Sequence, residues 1–217
     1  LDENIAFVVN GLDILLNKAI LQSIQNALDE EKMRQIEEHL QAQGFEMAEM
    51  LSRLGQIRRT LFEFEQDFKK IEDRILKDFL TTEENSSETW LVITNKALTE
   101  LILKTFADED KKMILDFTRN DSETIPKILS LCNLPNTSGY RKVKKLIDNG
   151  FVIPTGMAET FDGRRALLYK SIIQKIQIHI NKNDIVAKIL VPKEILASSI
   201  IVKAIGDVNE GKRIVAN

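Results

Sequence analysis

Between residues 47 and 75 the large apolar side chains fall on one stripe. Met47, Met50, Leu54, Ile57, Leu61, Phe64, Phe68, Ile71 and Ile75 are separated alternately by 3 and 4 residues. A repeat of about 3.5 residues keeps one helix face turned toward a partner over several heptads. A long amphipathic helix is therefore predicted, with Met50, Leu54, Ile57, Leu61, Phe64, Phe68 and Ile71 as its seam. Leu51, Phe62, Leu76 and Phe79 widen the apolar face beyond a strict two-stranded contact, so a bundle-like partner is expected, within the chain or across a dimer. Core packing explains the stripe. The sharper alternative, a sensor pocket lined by Phe45, Met47, Met50 and Phe64, lacks a convergent polar group.

The rest of the front half also reads as helix. Ile5, Val8, Leu12, Leu15 and Ala19 recur at helical spacing over residues 4 to 28, with a bend expected at Asn10-Gly11. Only nine glycines and four prolines occur in 217 residues, which favours long helices. Residues 81 to 89 are polar and aperiodic and read as a linker. A mainly α chain is thus expected: a helical bundle or coiled-coil-like domain over 1–89, a second domain over 90–180, and a hairpin return strand, helix and tail over 181–217.

The second half changes character. Helices are predicted over residues 90–106, 110–118 and 123–132, the last with Pro126 in its first turn, where no amide donor is needed. Asn133-Leu134-Pro135-Asn136 makes a tight connection. A further helix, capped by Asn136 or Thr137, runs to about Asp148, with Val143, Leu146 and Ile147 facing inward and Asn149-Gly150 ending it. Two helices joined this way form a helix-turn-helix unit. The outer face of the second carries Ser138, Tyr140, Arg141, Lys142, Lys144 and Lys145. Residues 137–175 hold eight Lys or Arg against three Asp or Glu, a local +5 in a chain of net −3. Phosphate contact is the common reason for such concentration. Short strands near 151–153, 157–161 and 166–170 flank Asp162-Gly163-Arg164-Arg165, a cationic hairpin tip.

Pro135-Asn136-Thr137-Ser138-Gly139-Tyr140-Arg141, then Val143, Leu146 and Gly150-Phe151-Val152, resembles the recognition helix and first wing strand of ArsR-like winged-helix regulators, particularly archaeal ones. Asp162 to Arg165 followed by Leu168-Tyr169-Lys170-Ser171 is similar to their wing. The resemblance covers about residues 98–180. It implies a winged helix-turn-helix fold, dimerisation and binding of operator DNA. The metal-sensing branch uses paired cysteines, whereas Cys132 is the only cysteine here, so metal sensing is not carried over.

The roles expected from this reading are specific. Ser138, Tyr140 and Arg141 approach base edges, Arg141 being best suited to a bidentate contact with guanine. Thr137, Lys144 and Lys145 touch phosphates, and Arg164 and Arg165 serve the wing. Residues 172–180 and 185–191 read as a second hairpin, and residues 193–205 as a last helix before a loose tail. His39 and His179 are far apart and read as ordinary surface or packed residues. No GxxxxGK(S/T) loop, GxGxxG fingerprint, HExxH or paired CxxC occurs, so neither an enzyme, a metal nor a cofactor is expected. The lone thiol, the lack of a basic leader in Leu1–Asn10 and the absence of a long apolar run point to a cytoplasmic protein without a membrane span. A homodimeric transcription regulator on double-stranded DNA, with an effector left open, is the reading. A non-enzymatic interaction scaffold built on the same winged helix is the alternative.

Overall fold

The computed structural model describes residues 10–28, 30–42, 68–77, 79–85, 88–159, 163–182 and 184–209. Among these the elements run α1 (Gly11–Ala27), α2 (Glu30–Ala42), α3 (Phe68–Leu76), β1 (Leu80–Asn85), β2 (Glu88–Ile93), α4 (Lys96–Phe106), α5 (Glu109–Phe117), α6 (Ile125–Leu131), α7 (Asn136–Asp148), β3 (Val152–Glu159), β4 (Arg165–Ser171), β5 (Lys175–Ile180), β6 (Ile185–Leu190), α8 (Lys193–Ser198) and α9 (Ile200–Asn209). The fold is mixed α/β, not the mainly α chain expected. An antiparallel sheet has strand order β1-β2-β6-β5, and β3-β4 form a separate hairpin.

The linker expected over 81–89 is the β1–β2 hairpin, with Leu80 opposite Ile93 and Thr82 opposite Leu91. Leu80, Leu91 and Ile93 are buried, whereas Thr81, Thr82 and Glu84 are exposed. An edge strand wetted along most of its length has a polar composition, which is why it resembled a linker. The single helix expected over 90–106 is likewise strand β2 followed by α4. Asn95 starts that helix, accepting from the Leu98 N–H at 3.0 Å. The boundary expected at 89/90 falls inside β2, and β2 pairs with β6 from the chain's far end, Trp90 opposite Leu190 and Ile93 opposite Ala187.

The core is continuous. Leu91, Ile93, Ala187 and Ile189 form the inner face of the sheet and cluster with Leu98 and Ile102 of α4 and Leu12, Leu15 and Leu16 of α1. Each of these three leucines is fully buried, stabilising the fold by about 1.5–3 kcal/mol apiece. The bend expected at Asn10-Gly11 is the helix start: the Asn10 side chain accepts from the Leu12 N–H at 2.9 Å and donates to the Ile195 carbonyl at 2.7 Å. Asp13 accepts from the Ser199 hydroxyl at 2.5 Å and from the N–H groups of Ile200 and Ile201. That carboxylate caps α9 and breaks the last helix at Ser199, where one continuous helix was expected.

The proposed seam residues Met50, Leu54, Ile57, Leu61 and Phe64 lie outside the described residues, as do Phe45 and Met47. Phe68 and Ile71 belong to α3, but their side chains are outside the description. At the end of the stripe, Leu76 is buried and Ile75 packs on the core. No helix among the described residues is long and apolar enough to cross a membrane.

α1 meets the second half of the chain at two glycines. Gly150 has φ +78°, and a Cβ there would lie 2.2 Å from the Gly11 carbonyl oxygen and 2.8 Å from the Leu15 nitrogen. Backbone on both sides leaves nothing to yield. Gly150→Ala should therefore cost about 3 kcal/mol in a urea titration, combining left-handed strain with overpacking. Gly163→Ala shares the positive φ (+75°) but meets open space, so it should cost only about 1–2 kcal/mol.

Candidate nucleic-acid interface

α6 and α7 pack closely because position 139 carries no side chain. A Cβ on Gly139 would lie 2.5 Å from Leu129 Cδ2. The turn between them runs through Asn133 in the left-handed region, φ 52°, where asparagine is better tolerated than most residues. Leu134 N–H closes the turn on the Leu129 carbonyl at 2.9 Å. Pro126 stands in the first turn of α6, as expected. α7 begins after Pro135 without a side-chain cap, so Asn136 and Thr137 are helical residues rather than the expected caps.

Gly139, Val143 and Leu146 are the buried residues of α7. Their 4-then-3 spacing turns the opposite face outward. Thr137, Tyr140, Arg141, Lys144 and Lys145 are exposed. Tyr140 keeps 45% of its surface. Ser138 is half-buried and its hydroxyl donates back to the Pro135 carbonyl at 3.4 Å. Among the described residues no ion pair engages Arg141, Lys144 or Lys145. Lys142 behaves differently. Its ammonium lies 2.7 Å from Asp108 Oδ1 and 2.8 Å from Asp110 Oδ2, fastening the flank of α7 to the start of α5.

Asp108 is the hub of that contact. It caps α5 by accepting from the Lys111 N–H at 3.2 Å and also faces the Lys111 ammonium. Burial pushes its carboxyl up, but the hydrogen bond from Lys142 and then the N–H and ammonium of Lys111 outweigh burial and hold it down at about 2. Lys142 is raised above the usual lysine range by its hydrogen bonds to Asp108 and Asp110. Sequence reading missed both the hub and the role of Gly139. Asp108 carried a signal, standing two residues past the predicted end of one helix and two before the start of the next.

The β3–β4 hairpin is tied to this unit by backbone bonds. Glu123 and Tyr169 exchange N–H···O bonds at 3.1 and 2.8 Å, and the Ser171 N–H donates to the Thr118 carbonyl at 2.9 Å. The segment before α6 thus forms a one-residue bridge on β4. The register shifts between Pro154 and Gly156, so the two short strands expected before the tip are one bulged strand. Arg164 and Arg165 are exposed beside Gly163, while Phe161 and Asp162 lie outside the described residues. Met157 and Leu167 stand directly opposite each other and keep 64% and 42% of their surface.

Of the remaining candidates, Cys132 is buried, and burial followed by the charge of Asp110 pushes its thiol up, the direction that suppresses thiolate chemistry. His179 is exposed on β5 and His39 sits on α2. No cluster of three metal-ligating side chains occurs among the described residues. No protein-family model, curated protein or solved structure matches the chain.

The Asp108 hub makes a pH prediction. Its carboxyl is held below the ordinary 3.8 in the folded state, so its stabilisation is complete above about pH 4 and is lost as pH falls toward about 2. Thermal melts of the wild type should lose stability across that window. Asp108→Asn should be less stable at neutral pH and show a shallower acid limb.

Proposed function

We propose that the chain is a sequence-specific DNA-binding transcription regulator that works as a homodimer, and that α5 to β4 form a winged helix-turn-helix. One observation carries the reading: the outer face of α7 is exposed and cationic, with Arg141, Lys144 and Lys145 outside every described ion pair. Exposed cations on a helix whose opposite face is fully packed are placed to meet the phosphates and base edges of a major groove. The bulged β3–β4 hairpin, ending near Arg164 and Arg165, is the wing of this reading. Tyr140 and Arg141 read bases, Thr137, Lys144 and Lys145 meet phosphates, and Ser138 contributes from its half-buried position. Lys142 orients the helix from behind instead of contacting DNA.

The anchoring of Lys142 by two aspartates is the one feature that favours the scaffold alternative, in which α7 packs on a protein partner. A titration separates the two. Fluorescence anisotropy against a pool of genomic DNA fragments should isolate a preferred site. On that site Arg141→Ala should cost about 1–3 kcal/mol and relax specificity. Lys144→Ala and Lys145→Ala should weaken all sequences alike and each lower the salt slope by about one. No preferred fragment, or an affinity and salt slope indifferent to all three substitutions, would leave the scaffold.

A further inference from the structure

The two edges of the four-stranded sheet are unlike. β1 carries Thr81, Thr82, Glu83 and Glu84, charged and polar residues that discourage further pairing. β5 reads Lys-Ile-Gln-Ile-His-Ile, and no other described strand pairs with its outer edge. Its apolar side chains are poorly covered toward the hairpin end. Ile178 keeps 37% of its surface and Ile180 71%, and Ile185, opposite Ile180, keeps 39%.

Register decides which backbone groups lie on that open edge. The Asn181 N–H donates to the Asp184 carbonyl at 2.8 Å, so 181 and 184 form a hydrogen-bonded pair. By antiparallel alternation His179–Val186 and Gln177–Lys188 are hydrogen-bonded pairs too. The N–H and C=O groups of Ile176, Ile178 and Ile180 then point outward. One strand thus presents an unpaired ladder edge beside isoleucines that water still reaches.

We propose that this edge is the contact between two copies of the chain, β5 pairing with β5 of the second copy about a two-fold axis at Ile178. Antiparallel pairing about that residue sets Ile176 opposite Ile180 and Gln177 opposite His179, so every apolar residue meets an apolar one and every polar residue a polar one. Charge does not oppose the pairing. Lys175 opens the strand, while Asp184 stands past its far end on the same sheet face, because 181 lies six residues from 175 and 184 pairs with 181. Self-pairing carries Lys175 of each copy next to Asn181 of the other, one strand from Asp184. Lys182, the remaining charge of the turn, falls opposite Gln174. Lys175 is already paired with Glu88, so the two copies bring no bare like charges together along the strand.

This surface gives the homodimer of the proposed function a place, but it is tested without DNA. Light scattering on the full chain should give twice the chain mass. Amide exchange at Ile176, Ile178 and Ile180 should slow as protein concentration rises. Ile178→Pro removes an outward N–H and the isoleucine side chain on the axis but no β5–β6 ladder bond, a substitution edge strands tolerate, and should halve the mass while far-UV circular dichroism holds. If that variant loses the fold, Ile178→Lys keeps the N–H and puts two charges on the axis, with the same halving expected. A wild type of single-chain mass up to its solubility limit would overturn the proposal. A dimer that persists in the folded variant would also overturn it. An Arg141→Ala/Lys144→Ala chain that stays dimeric but binds no DNA separates this contact from the groove-binding surface.

Discussion

The C-terminal end of α7 and the root of the β3–β4 hairpin are oriented by the place where Gly11 and Gly150 touch. The left-handed turn at Gly150 releases the chain from α7. It lets the Phe151 N–H bond back to the Leu146 carbonyl at 2.9 Å and aims Val152 into β3. α1 closes on that turn with backbone against backbone, and Lys18 adds a 2.6 Å contact to the Asn149 side chain. Interiors packed at crystal-like density transmit displacements rather than absorb them. A shift of α1 therefore displaces the C-terminal end of α7 and the root of the hairpin together.

The basic face of α7 is divided rather than uniform. Lys142, held by Asp108 and Asp110, is half-buried, while Arg141, Lys144 and Lys145 remain in water. Isolated surface ion pairs contribute little, but a lysine shared between two carboxylates, one of them also capping α5, fixes two helices in one joint. Long side chains need such a joint beneath them if they are to arrive at a groove in a fixed register. It leaves the charges one residue before and two and three residues after position 142 open to a partner.

Much of this architecture was legible because local rules and tertiary packing agree there. α5, α6 and α7 lie close to where apolar spacing, Pro126 and Gly150 put them, and the β5–β6 hairpin follows the alternation of Ile176, Ile178 and Ile180. The β1–β2 hairpin was not legible. Its first strand is an edge, so Thr81, Thr82 and Glu84 face water and mimic a loop, and its pairing with β6 spans about a hundred residues that no local pattern reports. The exposed face of α7 could be read from helical periodicity. The anchoring of Lys142 could not, since it depends on how α5 lies against α7. The role of Gly139 could not be read either, since it depends on Leu129 of α6 packing against it.

The strand order β1-β2-β6-β5 has a consequence for how the molecule is made. β2 cannot complete its ladder until β6, nearly a hundred residues later, has left the ribosome. Pairings of such sequence separation carry a loop-closure cost and are slow to form. During synthesis the β1–β2 hairpin waits with one side bare, whereas α5 to β4, whose contacts with one another are local, need nothing from β6. The helical unit is then ready before the sheet that frames it, and the closing step belongs to the β5–β6 hairpin.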